Sequence, residues 1–186
     1  MSDTRSRSGI LIAVAAAAGA FGAAALMSAA AAPTARADDT TQIIDAIQGD
    51  YAAGQADFTT ALTDFGNGDF VSGVTESLDG LNQDTVAAPD NLLLGSVEAL
   101  EGGPITSSLF FDDLLVPNSF AEASAQAQIY FNDGQGFLSN AAIDFSAGDY
   151  GAGTYSELVG SADAYVLPVE ELLLGALAAI DPVAVY

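Results

Sequence analysis

The chain matches itself at a displacement of 80 positions: residues 48–100 align on residues 128–180 without a gap. Gln48 pairs with Gln128, Gly54-Gln55 with Gly134-Gln135, Ala61 with Ala141, and Asp64-Phe65 with Asp144-Phe145. Further along, Gly68-Asp69 pairs with Gly148-Asp149, Gly73 with Gly153, Leu78 with Leu158 and Gly80 with Gly160. The match closes on Leu92-Leu93-Leu94-Gly95 and Leu172-Leu173-Leu174-Gly175. A match of this length is the signature of an internal duplication, in which each unit buries its apolar face against the other.

Within each unit the apolar spacing is helical. Ile44, Ile47, Tyr51, Phe58, Leu62 and Phe65 recur at intervals of three, four and seven, which predicts a long first helix with these residues on its buried stripe. The second copy offers Phe120, Ala127, Phe131, Leu138 and Phe145, opened by a capping box at Ser119-Phe120-Ala121-Glu122. Both long helices are expected to end at a glycine turn, Gly66-Asn67-Gly68 or Ser146-Ala147-Gly148, with Asp69 or Asp149 capping the next helix. Val71, Val74, Leu78 and Leu81 mark that second helix in copy one. Pro89 and Pro168 are then expected to break the chain before a short apolar third helix, 92–100 or 169–180. Strand alternation is absent. The sequence therefore predicts an all-α fold, a bundle of about six helices built from two copies of a unit of about 80 residues with pseudo-twofold symmetry. Repeat one covers 41–101, a connector 102–118 and repeat two 119–181, together forming a single all-helical domain over 38–186. Gly54 and Gly134, inside the long helices, predict close helix packing or a kink.

Charge narrows the function classes. The only basic side chains are Arg5, Arg7 and Arg36, and all but Asp3 of the 25 acidic residues lie beyond position 37. From Asp38 onward no side-chain ion pair can form, so folding rests on apolar burial and hydrogen bonds. Mutual repulsion is expected to raise carboxylate pKa values on folding and to make the protein more stable as pH falls. Nucleic acid and anionic membrane surfaces are excluded as partners, because phosphate contacts need Lys or Arg. A basic protein, divalent cations or an apolar ligand remain open as partners, as does self-association.

The first 37 residues read as a secretory signal. Arg5 and Arg7 precede an apolar run from Ile10 to Ala32, and Ala35-Arg36-Ala37 offers a small-x-small cleavage site. Arg5 and Arg7 are separated by Ser6, and no Cys is present for lipidation, so the expected route is the general secretory one. The retained-anchor alternative rests on the length of the apolar run. The Ala-rich, lysine-free style of leader and chain resembles exported proteins of high-GC actinobacteria, mycobacteria included.

Chemistry is sparse in what remains. His and Cys are absent from the whole chain, and Lys and Arg from 38 onward, which removes the triad, thiol, Schiff-base and phosphate-clamp mechanisms and the common zinc and haem ligands. Asp64 and Asp144 are the obvious carboxylate pair for glycoside hydrolysis. Asp64 with Asp69, and Asp144 with Asp149, flank tight turns in a way that invites calcium. Neither turn meets the EF-hand pattern: Gly66 or Ser146 stands third, Asp69 or Asp149 sixth and Thr75 or Tyr155 twelfth. The simpler reading makes Asp69 and Asp149 N-caps. The leucine triplets Leu92–Leu94 and Leu172–Leu174 are either core, the lining of a lipid-holding cavity, or a dimer surface. No catalytic, cofactor-binding or metal-binding residue is assigned. The expectation is an exported, non-enzymatic acidic helical protein, secreted or held in the cell envelope, acting as a binding or structural component. The alternatives are an envelope carrier of an apolar or lipid ligand and a weak divalent-cation binder.

Overall fold

The structure is a computed structural model that describes residues 37–102, 105, 109 and 114–180. The leader apart from Ala37, with its basic and apolar regions and most of its cleavage motif, lies outside the described residues, as do Phe110 and Phe111 of the connector. The elements are α1 (Ala37–Asn67), α2 (Phe70–Asn82), α3 (Ala88–Glu101), α4 (Phe120–Ala147), α5 (Tyr150–Ser161) and α6 (Leu167–Ile180). Among the described residues the fold is all-helical, without a strand.

Pro89 and Pro168 do not break the chain as expected. Five-residue π turns, Gln83–Ala87 and Ala162–Val166, join α2 to α3 and α5 to α6, so the described residues form four continuous rods rather than about six separate helices. The reason is local. A proline inside an α-helix clashes with the carbonyl one turn back, and each π turn widens the backbone just ahead of the proline. The Ala88 N–H thereby reaches the Gln83 carbonyl and the Leu167 N–H the Ala162 carbonyl, five residues back instead of four.

The ends of the rods follow the sequence closely. Gly68 and Gly148 adopt φ of 84° and 83°, a conformation that only glycine takes at low cost, and they reverse the chain after α1 and α4. The Asp69 N–H then donates to the Asp64 carbonyl at 2.9 Å and the Asp149 N–H to the Asp144 carbonyl at 3.0 Å. At the start of α4 the Ser119 hydroxyl accepts from the Glu122 N–H at 3.2 Å. The Glu122 carboxylate reaches back one residue further than a capping box requires, to the Asn118 N–H at 2.9 Å.

The buried stripe of α1 is not the predicted one. Ile43, Asp50, Gly54 and Ala61 are buried, whereas Ile44, Tyr51, Leu62 and Phe65 are exposed and Ile47 and Phe58 half-buried. In α4 the buried residues are Ala123, Ala127, Tyr130, Gly134 and Ala141, and Phe120 and Phe131 are exposed. Glycine causes the difference. A Cβ on Gly54 would lie 2.8 Å from the Gly80 carbonyl oxygen, and one on Gly134 at 2.8 Å from the Gly160 carbonyl oxygen. Small residues therefore define the line of contact, and large side chains flank it. Phe65 and Phe145 lie over Gly73 and Gly153, where a Cβ would come within 2.6 Å of each ring. Close packing at Gly54 and Gly134 is what the structure shows.

Rod contacts set the arrangement. α1 packs on α2 and α3, α4 on α5 and α6, and between the halves α3 meets α5 while α2 meets α6. The two middle rods thus run antiparallel, with α1 and α4 outside them.

Candidate functional site

The described residues of the connector are held by side chains of the rods. Leu109 is buried with Leu94 and Val159, and Leu114 with Tyr130, Leu167 and Leu174, so one segment supplies a leucine to each of two core clusters. Its backbone is held by polar groups of the rods. The Asn91 amide accepts from the Leu109 N–H at 2.7 Å and donates to the Leu109 carbonyl at 3.3 Å. Asp79 accepts from the Leu114 N–H and Glu171 from the Leu115 N–H, each at 2.9 Å. A chain segment that crosses a helical core has unpaired amides, and these side chains satisfy them.

Asn91 and Glu171 occupy the same place in the two repeats, immediately before the leucine triplets. Asn91 also donates to the buried Asp50 at 2.8 Å, and the repeat counterpart of Asp50 is Tyr130. Glu101 completes the inter-half contacts by accepting from the Tyr150 and Gly151 N–H groups at the start of α5, at 2.9 and 3.0 Å. Such a cap places a carboxylate against the positive end of the helix. Asn82 donates to Glu170 at 2.8 Å, tying α2 to α6.

Several acids sit in places that disfavour their charged form. Burial pushes Asp90 up to about 6. Burial also raises Asp50, with the Asn91 hydrogen bond opposing it, and raises Asp84. Glu170 and Glu171 are raised first by burial and only last by a neighbouring carboxylate, Glu171 and Glu122 respectively. Glu122, bonded by the Asn118 backbone and amide, is lowered. The upward shifts thus come from desolvation rather than from the expected repulsion, which contributes only at Glu170 and Glu171. Asp84 Oδ1, Glu98 Oε2 and Glu171 Oε2 are buried without a hydrogen-bond partner. A chain without bases from 38 onward has no cation of its own to offer them.

The sequence candidates fare differently. Asp69 and Asp149 are N-caps, accepting from the Ser72 and Ala152 N–H groups at 3.1 Å each. Asp144 accepts from the Ser156 hydroxyl at 3.4 Å. Among the described residues no three acidic side chains converge as a metal site. Each leucine triplet divides between core and surface: Leu94 and Leu174 are fully buried and Leu92 is buried, whereas Leu93, Leu172 and Leu173 are exposed. Sequence reasoning missed Asp50, Asp79, Asn91 and Glu171. The repeat alignment carried a signal for Asn91 and Glu171, a polar residue fixed ahead of an apolar triplet, and none for Asp79, whose counterpart is Val159.

No described helix is long and apolar enough to cross a membrane. Comparison with protein-family models, with curated proteins and with solved structures finds no match.

Proposed function

We propose that this chain is an exported, non-enzymatic acidic protein that works by contact, as a binding or structural component outside the cytoplasmic membrane. The observation that carries the reading is the surface of the rods. Leu62, Phe70, Leu100, Phe120, Ile129, Ile143 and Tyr165 are all at least half exposed on a chain whose charge beyond position 37 is entirely negative. Where exposed apolar side chains adjoin, as Phe65 does Phe70 with ring centroids 5.3 Å apart, they mark a surface for association, while the acids keep the free protein soluble. The fold behind that surface is two copies of one unit related by a pseudo-twofold axis. Its support is the reciprocal pairing of α3 with α5 and of α2 with α6, and the matched contacts at Gly54 and Gly134.

The polar groups gathered around the connector bind its backbone amides. The alternative reading, a carrier of an apolar or lipid ligand, draws on the same leucine triplets. It is disfavoured by the division of each triplet between packed core and outer surface.

Fractionation of cells expressing the full chain tests the proposal. The expected result is protein in the culture medium or envelope fraction with Asp38 as its first residue. Full-length protein confined to the cytosol would overturn it.

A further inference from the structure

The polarity of α6 is inverted. Its only polar residues are Glu170 and Glu171, and both turn inward: Glu171 is fully buried beneath Leu115, and Glu170 bonds Asn82 of α2. The outward side is apolar throughout. Val169, Leu172, Leu173 and Ile180 are 63, 39, 49 and 78 % exposed, and at 100° per residue they share one side of the helix with Ala176 and Ala179. Leu115 and Phe120 lie beside Glu171 and Gly175, on the buried flank of the helix and away from this stripe.

A helix at a water boundary places its carboxylates outward and its leucines inward. Only a covered outer face makes the arrangement of α6 favourable. The covering partner is identified by charge. From Asp38 onward every ionised side chain is negative, so two copies can meet without bringing carboxylates together only through a face that carries none. The outer side of α6 is such a face. A basic partner would instead gain most from acids around the contact, and the two acids of this helix are turned away from it. We infer that the outward face of α6 is the surface through which two copies of this protein pair, helix against helix.

Pairing across a twofold axis sets Val169 of one copy near Ile180 of the other, with Ala176 near the crossing, where small side chains allow close approach. The stripe is about 16 Å long, which places the contact at the small end of specific interfaces and makes the dimer concentration-dependent. The inference deepens the proposed contact role by naming a partner. It is tested on purified protein, so its failure leaves the export result untouched.

Sedimentation equilibrium of the protein recovered from cells expressing the full chain supplies the test. A monomer–dimer equilibrium is expected, and it tightens severalfold between about 0.1 M and about 1 M sodium chloride, because salt screens the repulsion between two polyanions. Leu173→Glu places a carboxylate on the exposed face and is expected to raise the dimer dissociation constant at least about tenfold, a change of about 1.4 kcal/mol, with an unchanged circular dichroism spectrum. Leu93→Glu, at the matching exposed position of α3, is expected to leave it unchanged. A wild-type protein that stays monomeric up to about 1 mM, or a dimer that survives Leu173→Glu, overturns the inference. A dimer that salt weakens also overturns it, since that response belongs to cation bridging.

Discussion

α3 and α6 carry the same Leu-Leu-Leu-Gly motif and present it differently. Leu94 and Leu174 are both fully buried, each in a cluster completed by a connector leucine. Beside them the halves part: Leu92 is buried where Leu172 is exposed, and buried Asp50 with Asn91 stands where the second half has Tyr130 with Glu171. A one-residue difference accompanies the change. Asp90-Asn91 separates Pro89 from its triplet, whereas Val169-Glu170-Glu171 separates Pro168 from its own. The fully buried leucine is thus common to both halves, while the residues around it differ between them.

The strongest challenge to that equivalence is truncation of the buried leucines. Leu94→Ala and Leu174→Ala should each destabilise the protein by about 2–5 kcal/mol, measured by urea unfolding. The two values should agree to within less than the roughly 2 kcal/mol by which buried Leu→Ala truncations differ between unlike sites. A larger gap would show that the clusters around Leu109 and Leu114 are not equivalent supports.

The glycine contacts should separate the halves by a smaller amount. A Cβ on Gly134 meets three backbone atoms, the Ala164 nitrogen at 2.5 Å, the Gly160 oxygen at 2.8 Å and the Ala164 Cα at 2.9 Å. A Cβ on Gly54 meets the Gly80 oxygen at 2.8 Å, and its other obstacle is the Asp84 side chain, which can turn aside. Gly134→Ala should therefore cost about 1–3 kcal/mol from overpacking, and Gly54→Ala less. Equal costs, read from chemical denaturation of both variants, would mean that the Asp84 carboxylate is held as firmly as backbone.

These same contacts explain what the sequence made legible. The helical class, the glycine turns and the caps at Asp69, Ser119 and Asp149 depend on local patterns, and each is found where expected. The buried stripe of α1 was misread because the periodicity of Ile44, Tyr51 and Leu62 is real but belongs to the flank of a contact line drawn by Gly54 and Ala61. Hydrophobicity favours large residues, and a close helix crossing favours small ones. Pro89 and Pro168 suggest breaks in the sequence because a π turn has no signal there comparable to that of proline. The roles of Asp79 and Glu171 depend on the path of the connector, which local pattern does not encode.

The caps offer a finer comparison. Asp69 and Asp149 accept the same bond at the same 3.1 Å, so Asp69→Ala and Asp149→Ala should each cost about 1 kcal/mol. Thermal melts should show equal losses. A loss confined to Asp69→Ala would point to Glu101, which adds its own two acceptors at the start of α5.

The response to pH draws on both halves. Burial raises Asp50, Asp84 and Asp90 in the first half and Glu170 and Glu171 in the second. Unfolding returns Asp90 from about 6 to its ordinary 3.8, so between those values the folded protein holds the proton and the unfolded chain releases it. The stability from such groups is complete below the ordinary carboxylate range and is lost as pH rises through the folded pKa. Glu122, lowered by Asn118, works in the opposite direction. The melting midpoint should accordingly fall between about pH 4 and pH 7. Asp90→Asn should flatten that slope more than Glu171→Gln, because burial acts on Asp90 unopposed while the Leu115 N–H partly offsets it at Glu171. A midpoint that rises with pH over this range would mean that the buried acids are paired with bound cations rather than with protons.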